Sequence, residues 1–346
     1  MPIVTIDASD ALVAPLRGWG RYVAELVAAL RAAPPADLTI DVACRSGRLP
    51  ESFWEQWGLP RHARRIAAAA IHAPNCFLAL RRPCAGVVTV HDLAFETDPR
   101  DFSRRTGAKY RALVPRAARS AERVICDSQF TAEDVARRYG VDRGAVRVIP
   151  LAPALARAAP AAQDATTAAP APAGDYLIGV GDLRAKKDFA TLVRAWRSLR
   201  GEGFPHTLVI CGVDGGEGAR LRALAAREPL TLTGYVDDAR LDALLRGAQA
   251  LVHPSRHEGF GLVLLEAMAR GTPVVAARAA ALPQTAGDAA LYFEPGDDRE
   301  LLATLRRLLD DPRERAELVT RGIARAAEHT WARTAAATLD VYREVL

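Results

Sequence analysis

Twice along this chain of 346 residues, short runs of strand formers alternate with helical stretches, and a segment rich in Ala and Pro separates the two series. Strands joined through helices run parallel, and a parallel sheet has to be covered on both faces. The front series has strands at 3–6, 37–43, 86–90 and 123–126, with helices after the first strand and over 103–120 and 131–139. The rear series has strands at 176–180, 207–211, 230–233 and 248–252, with helices over 188–200, 217–227, 238–247 and 262–270. Between them, residues 152–173 show no apolar period and read as a linker. The pattern predicts two α/β domains, each a doubly wound parallel sheet, over residues 1–155 and 174–329. Residues 156–173 would form the hinge, with the two sites facing one cleft, and residues 330–346 an amphipathic helix. Ligands of such sheets bind at the carboxyl ends of the strands.

Composition narrows the function. No run of 18 or more apolar residues occurs and the first 25 residues lack a signal-peptide layout, which predicts a cytoplasmic protein. The five cysteines are scattered, with no C-x-x-C, and read as buried thiols. No histidine stands at metal-site spacing from Cys or a carboxylate, and no Asp-x-Asp occurs, so a metal-independent site is expected.

Residues 1–160 carry 23 Lys and Arg against 16 Asp and Glu, and residues 161–346 carry 23 against 25. The basic excess thickens over residues 100–123, where Arg100, Arg104, Arg105, Lys109, Arg111, Arg116, Arg119 and Arg123 meet only Asp101 and Glu122. Two readings stand: a peripheral contact with anionic lipid at the inner face of the inner membrane or with phosphate-bearing acceptors, or a solvated helix face. Nucleic acid is not expected, because the aromatics do not interleave with the charges. Lysine occurs three times, at 109, 186 and 187, against 43 arginines. The adjacent Lys186 and Lys187 therefore suggest a site wanting a compact ammonium, with accident of composition as the alternative.

The densest chemistry is in residues 253–276. Glu258 and Glu266 stand eight positions apart around a Gly-Phe-Gly turn, after an apolar strand and before a helix. Gly259 and Gly261 permit close approach to the backbone, and the amides of Phe260, Gly261 and Leu262 open the helix where anions are favoured. Amides for a diphosphate and carboxylates for hydroxyls suit a nucleotide sugar. Gly-rich strand-to-helix turns are also common without a ligand, and an acid within a helix is usually solvated.

The ordered string His-Pro-Ser-x-x-Glu-Gly-Phe-Gly-x4-Glu-Ala-Met-Ala-x-Gly-x-Pro-Val-Val resembles the Glu-x7-Glu signature of family 4 glycosyltransferases, retaining enzymes of the GT-B fold. The resemblance extends over nearly the whole chain. It implies that Glu258 contacts the donor sugar, Glu266 the ribose hydroxyls, and the 260–262 amides the diphosphate. Gly181-Asp-Leu-Arg-Ala-Lys-Lys-Asp188 is similar to the family's Gly-x-Leu-x-Pro-Arg-Lys-Asn, which puts Lys187 at the phosphate-binding Lys and Lys186 at the Arg position. Asp182 stands where some members carry a further Arg. Gly18-Trp-Gly-Arg-Tyr22 resembles a loop that approaches the donor through Gly18 and Gly20. Arg21 there is either a phosphate or acceptor ligand or an outward salt bridge.

Val90-His-Asp-Leu93 resembles a segment in which His91 lies near the sugar and Asp92 supports it, although a strand-end His is more often structural. Gly234 and Tyr235 match a base-side loop, with Tyr235 as a core residue the alternative. Residues 279–284 depart from the family pattern, with Gln284 in place of a Glu. The final helix looks like the family's helix that returns to the first domain.

The resemblance implies transfer of a hexose, first of all mannose, from a nucleoside-diphosphate sugar such as GDP-mannose to a polysaccharide or lipid-linked saccharide. No cofactor beyond that co-substrate is implied. A non-catalytic nucleotide-sugar-binding partner subunit and a nucleotide-sugar epimerase on the same fold are the alternatives.

Overall fold

The computed structural model describes residues 1–13, 18–45, 47, 49–153 and 174–346. The expected linker, 156–173, lies outside the described residues. Two compact units form, one from residues 1–152 with 329–346 and the other from residues 153–328.

The first unit is built on six strands: β1 (Ile3–Asp7), β2 (Thr39–Ala43), β3 (Ala70–Ala73), β4 (Ala85–Val90), β5 (Arg123–Cys126) and β6 (Val146–Val148). All pair in parallel, in the order β2-β1-β3-β4-β5-β6. Strands with both faces covered are apolar throughout, and Val4, Ile6, Ile71, Val87, Val88 and Val124 are fully buried. β3 has no sequence counterpart above, because its Ala-Ile-His-Ala follows three further alanines and alanine favours helix. Its partners on both sides impose the extended backbone, in register Ile6↔His72 and His72↔Val87.

The closing helix, Trp331–Val345, belongs to this first unit and packs on the helix Gly18–Ala32. Tyr342 is fully buried, and its hydroxyl lies 2.7 Å from Nδ1 of His72, whose Nε2 lies 2.8 Å from Thr89 Oγ1. Burial pushes the His72 pKa down to about 3, so the ring is neutral and offers one donor and one acceptor. Arg343 holds Asp37, while Arg123 and Arg147 both hold Glu344.

The second unit repeats the plan with β7 (Tyr176–Val180), β8 (Thr207–Cys211), β9 (Leu230–Gly234), β10 (Ala250–His253), β11 (Val274–Ala277) and β12 (Leu291–Phe293), in the order β12-β11-β10-β7-β8-β9. Trp196 is completely buried under this sheet and donates its indole N–H to the His206 carbonyl at 2.9 Å. Strand order reverses between β1 and β3 in the first unit and between β7 and β10 in the second. At such a reversal the loops leave in opposite directions and open a crevice at the strand ends.

Candidate functional site

The crevice of the second unit is flanked by the loops after β7 and β10, which are the segments carrying Lys187 and Glu258. They are tied together by main chain: the Arg256 N–H donates to the Lys186 carbonyl at 2.9 Å, and Ser255 Oγ to the same oxygen at 3.3 Å. Lys187 ends the short turn Ala185–Lys187. Asp188 follows in the left-handed region at φ 46°, a conformation that Asp and Asn tolerate better than most residues. Its carboxylate accepts from Thr191 Oγ1 and Arg256 Nε, both at 2.9 Å, and so fixes the turn. The ordinary family Asn could not offer that charge to Arg256.

Lys187 Nζ lies 2.5 Å from Glu258 Oε1, and His253 Nε2 lies 3.1 Å from the same oxygen. Both partners of the ion pair are largely buried, with side-chain exposures of 17% and 12%. Burial alone would raise the Glu258 pKa. The Lys187 ammonium and the His253 hydrogen bond outweigh it and hold the carboxyl well below its ordinary range. Burial lowers the His253 pKa, so the ring is neutral and donates from Nε2 to the carboxylate. His253 Nδ1 is buried without a hydrogen-bond partner. His253 was not singled out from the sequence; its position at the end of β10, five residues before Glu258, was the available signal.

The rest of the Gly-Phe-Gly turn is braced from behind. Gly261 adopts φ +87°, and a Cβ there would fall 2.5 Å from Leu282 Cδ2. Thr285 Oγ1 donates to the Phe260 carbonyl, and the Ala281 N–H to the Glu258 carbonyl at 3.3 Å. The segment 279–285, which departs from the family pattern, is thus the support of the turn, while Gln284 itself is exposed. Gly259 and Phe260 are buried, Leu262 opens the helix Leu262–Met268, and Glu266 is 7% exposed in its second turn. Lys186 is half-buried beside Lys187, and its charge also lowers the Glu258 pKa. Gly234 and Tyr235 lie two strands away at the end of β9, and Tyr235, 45% exposed, is not a core residue.

In the first unit, Gly18 to Tyr22 form the opening turn of the helix Gly18–Ala32 rather than a loop. Gly18 is exposed at φ +39°, Gly20 is buried and Arg21 is half-buried. His91 is buried just past β4. Its Nδ1 lies 2.6 Å from Asp127 Oδ2 and its Nε2 lies 2.9 Å from the Pro74 carbonyl. A carboxyl at one nitrogen and a carbonyl at the other favour the charged, imidazolium form of the ring. Burial opposes that charge, but Asp127 and the Pro74 carbonyl overcome it and raise the His91 pKa.

The support of His91 is therefore Asp127, one strand over, and not Asp92. The Asp92 Oδ1 instead accepts from the Ala94 N–H at 2.9 Å and starts the next helical turn. Adjacency in sequence misassigned the pair, because parallel strands bring the end of β5 beside the end of β4.

Several cations of residues 100–123 already hold acceptors in the same unit. Lys109 lies by Glu51 and Glu55, Arg111 donates to the Phe95 carbonyl, Arg119 to the Tyr139 carbonyl, and Arg123 pairs with Glu344. Arg104 and Arg105 are exposed. Among the described residues no group of His, Cys, Asp or Glu could hold a metal ion, and no helix is long and apolar enough to cross a membrane.

Comparison with known proteins gives a consistent picture. Residues 169–325 match the family model of the glycosyl transferases group 1, and residues 16–153 that of glycosyltransferase family 4. The O-antigen chain mannosyltransferase B of Escherichia coli is 29% identical over 98% of this chain and 99% of its own. A D-inositol 3-phosphate glycosyltransferase 2 of Catenulispora acidiphila is 31% identical over 86% of this chain and 68% of its own. Among solved structures, WaaG, a glycosyltransferase involved in lipopolysaccharide biosynthesis, superposes with a TM-score of 0.71 at 17% identity, over 98% of this chain and 99% of that one.

Proposed function

The chain belongs to the family 4 glycosyltransferases of the GT-B fold, and from that premise we propose that it is a retaining, metal-independent mannosyltransferase. It would use GDP-mannose, with no other cofactor, and extend a polysaccharide or lipid-linked saccharide. The observation that carries the donor site is the Lys187–Glu258–His253 cluster at the strand reversal of the second unit. The name of the full-length relative from Escherichia coli supports mannose.

In this reading the acceptor oxygen bonds to the anomeric carbon as the bond from that carbon to the diphosphate breaks, and the acceptor proton passes to the departing phosphate. Charge developing on the diphosphate is met by Lys187, Lys186 and the amides of Phe260, Gly261 and Leu262, groups already in place before the reaction. Glu258, kept ionised, orients the sugar hydroxyls and steadies positive charge at the anomeric carbon. His253 fixes the orientation of that carboxylate. Glu266 takes the ribose hydroxyls, and Gly234 and Tyr235 meet the base.

Thermal unfolding in EDTA with GDP, UDP, dTDP or ADP tests the donor. A ligand at 100 times its dissociation constant adds about 2.7 kcal/mol. GDP is expected to give the shift, and Glu266→Ala and Lys187→Ala to abolish it. Absence of a shift with every nucleotide would overturn the metal-free donor site.

The exposed Arg104 and Arg105 are proposed to meet an anionic membrane surface, at about 1 kcal/mol for each. The partition onto vesicles containing phosphatidylglycerol, read by co-sedimentation, should fall at least about thirtyfold in an Arg104→Glu, Arg105→Glu variant. Equal recovery of the variant and the parent would remove the membrane from the model.

A further inference from the structure

The strands β11, β10 and β7 lie side by side in that order. The segment after β10, with its Gly-Phe-Gly turn, therefore stands between the loop after β11 and the loop that carries Lys187. Its carbonyls are bonded to the β11 side. The Ala281 N–H donates to the Glu258 carbonyl at 3.3 Å, and Thr285 Oγ1 donates to the Phe260 carbonyl. A trans peptide holds its C=O and N–H on opposite sides. With the Phe260 oxygen turned to Thr285, the N–H of the same peptide, that of Gly261, points away from the β11 loop and towards the Lys187 side.

The turn's own sequence does not secure that orientation. Glycine takes either sign of φ, so the peptide before Gly261 can turn over at small cost and exchange the places of its oxygen and its N–H. Turned over, it would offer a carbonyl oxygen to an anion. Thr285 supplies the constraint. It is 2% exposed, so its hydroxyl has little water to bond instead of Phe260.

Thr285 is in turn held from its far side. It lies in the helix Leu282–Ala286, and the Arg325 guanidinium, from the helix Pro312–Ala327, donates to the carbonyls of Thr285 and Gln284, both at 2.9 Å. Glu328 pairs with the same guanidinium. A continuous series of bonds thus runs from Arg325 through Thr285 to the Phe260–Gly261 peptide.

We propose that Thr285, held by Arg325, is a positioning residue of the donor site. Its hydroxyl keeps the Phe260–Gly261 peptide turned so that the Gly261 N–H, and not the Phe260 oxygen, meets the diphosphate. The orientation matters most where leaving-group charge develops, because a dipole fixed beforehand costs nothing to reorient during the reaction. The proposal rests on the glycosyltransferase reading above and adds to it two side chains from outside the turn.

Phe260–Gly261 is the single Phe-Gly step in the chain. Isotopic labelling of the phenylalanine carbonyl carbon and the glycine nitrogen therefore gives one NMR correlation that belongs to this peptide alone. In the parent, inorganic diphosphate and GDP should each shift the Gly261 N–H signal. Thr285→Val keeps the shape of the side chain and removes its hydroxyl. It should move the Phe260 carbonyl resonance in the ligand-free chain. It should also weaken GDP and inorganic diphosphate at least about tenfold, the worth of one hydrogen bond to a charged group, and leave guanosine, which has no phosphate, bound as in the parent. Thr285→Ser returns the hydroxyl and should return both the resonance and the affinity. Arg325→Met, at a side chain 28% exposed, should move the same resonance in the same direction by less, and carries the test if the Val variant does not fold.

A Phe260 resonance unmoved in Thr285→Val overturns the proposal. So does a loss of guanosine affinity as large as that of GDP, or a Ser variant that behaves as the Val variant does. A nucleotide that stabilises the parent without shifting Gly261 also overturns it, and leaves the donor reading standing. A Gly261 response to inorganic diphosphate, with none to any nucleotide, would instead defeat the donor reading and leave this proposal standing. Absence of any response in the parent defeats both.

Discussion

Lys187→Met is expected to lower transfer by about 10²- to 10³-fold, the usual cost of losing one preorganised stabiliser of developing negative charge. The same change should destabilise the ligand-free chain by about 3–5 kcal/mol, because it leaves the Glu258 carboxylate largely buried and without its ammonium. The two effects have different origins, and a second substitution separates them. In Lys187→Met with Glu258→Gln no charge is left to desolvate, so stability should return to within about 1 kcal/mol of the parent. Transfer should not return, because neither the diphosphate nor the sugar regains its partner. Recovery of activity in the double variant, or full activity in Lys187→Met, would remove Lys187 from the reaction.

The acid limb of stability gives an independent check. The folded-state pKa of Glu258 is depressed. Its contribution is therefore complete above the unfolded value of about 4.3 and is lost as pH falls through the folded one. Without Lys187, burial and the neutral His253 remain, and burial raises the carboxyl pKa. The variant should then lose stability as pH rises through that raised value, the opposite slope. Chemical denaturation between pH 3 and 7 measures both.

The candidate donor site was the easiest part to pick out along the sequence because its parts are local. Glu258, Glu266 and the Gly-Phe-Gly turn lie within nine residues, and Lys186 and Lys187 are the adjacent pair in a chain with almost no other lysine. The strands around them, β7, β8, β9 and β10, are apolar runs bounded by helices and stand close to their expected limits. β3, β6, β11 and β12 were not assigned. β3 is an Ala-rich segment whose extended backbone is imposed by its neighbours, while β6 and β12 are three residues long and too short to show a period.

What the sequence could not reveal was pairing across strands. His91 and Asp127 are 36 residues apart, and nothing in either segment announces the other. Trp19 and Tyr110 likewise stack from separate segments of the first unit, and Glu51 and Glu55 reach Lys109 across another long gap in sequence. Lys109 was read as part of a basic stretch, yet its ammonium lies among carboxylates. Charge along a sequence does not specify charge in space when a helix turns each side chain to a different neighbour.

Asp127→Asn is the sharpest test of that cross-strand pairing. In the parent, His91 has a raised folded pKa, so its ionic contribution is complete below the unfolded value of about 6.5 and is lost as pH rises through the folded one. Several groups bear on the ring besides Asp127. Asp92 also raises its pKa, Pro74 accepts from Nε2, and the Trp19 and Tyr22 rings pack at 5.9 and 4.8 Å. None of them replaces a carboxylate 2.6 Å away. Removing that charge lets burial dominate, and the His91 pKa should fall below 6.5. The variant is then more stable above that pH and weakens as pH falls through it, so the slope between pH 6 and 8 reverses. At pH 6 the loss should be about 3–5 kcal/mol, the cost of breaking one side of a buried pair. An unchanged slope would mean that the proton bound on folding does not depend on Asp127, whereas a reversed slope establishes the pairing. A His91 held by its own sheet at both nitrogens would then be a pillar of the first unit, and a direct sugar contact would require it to leave Pro74.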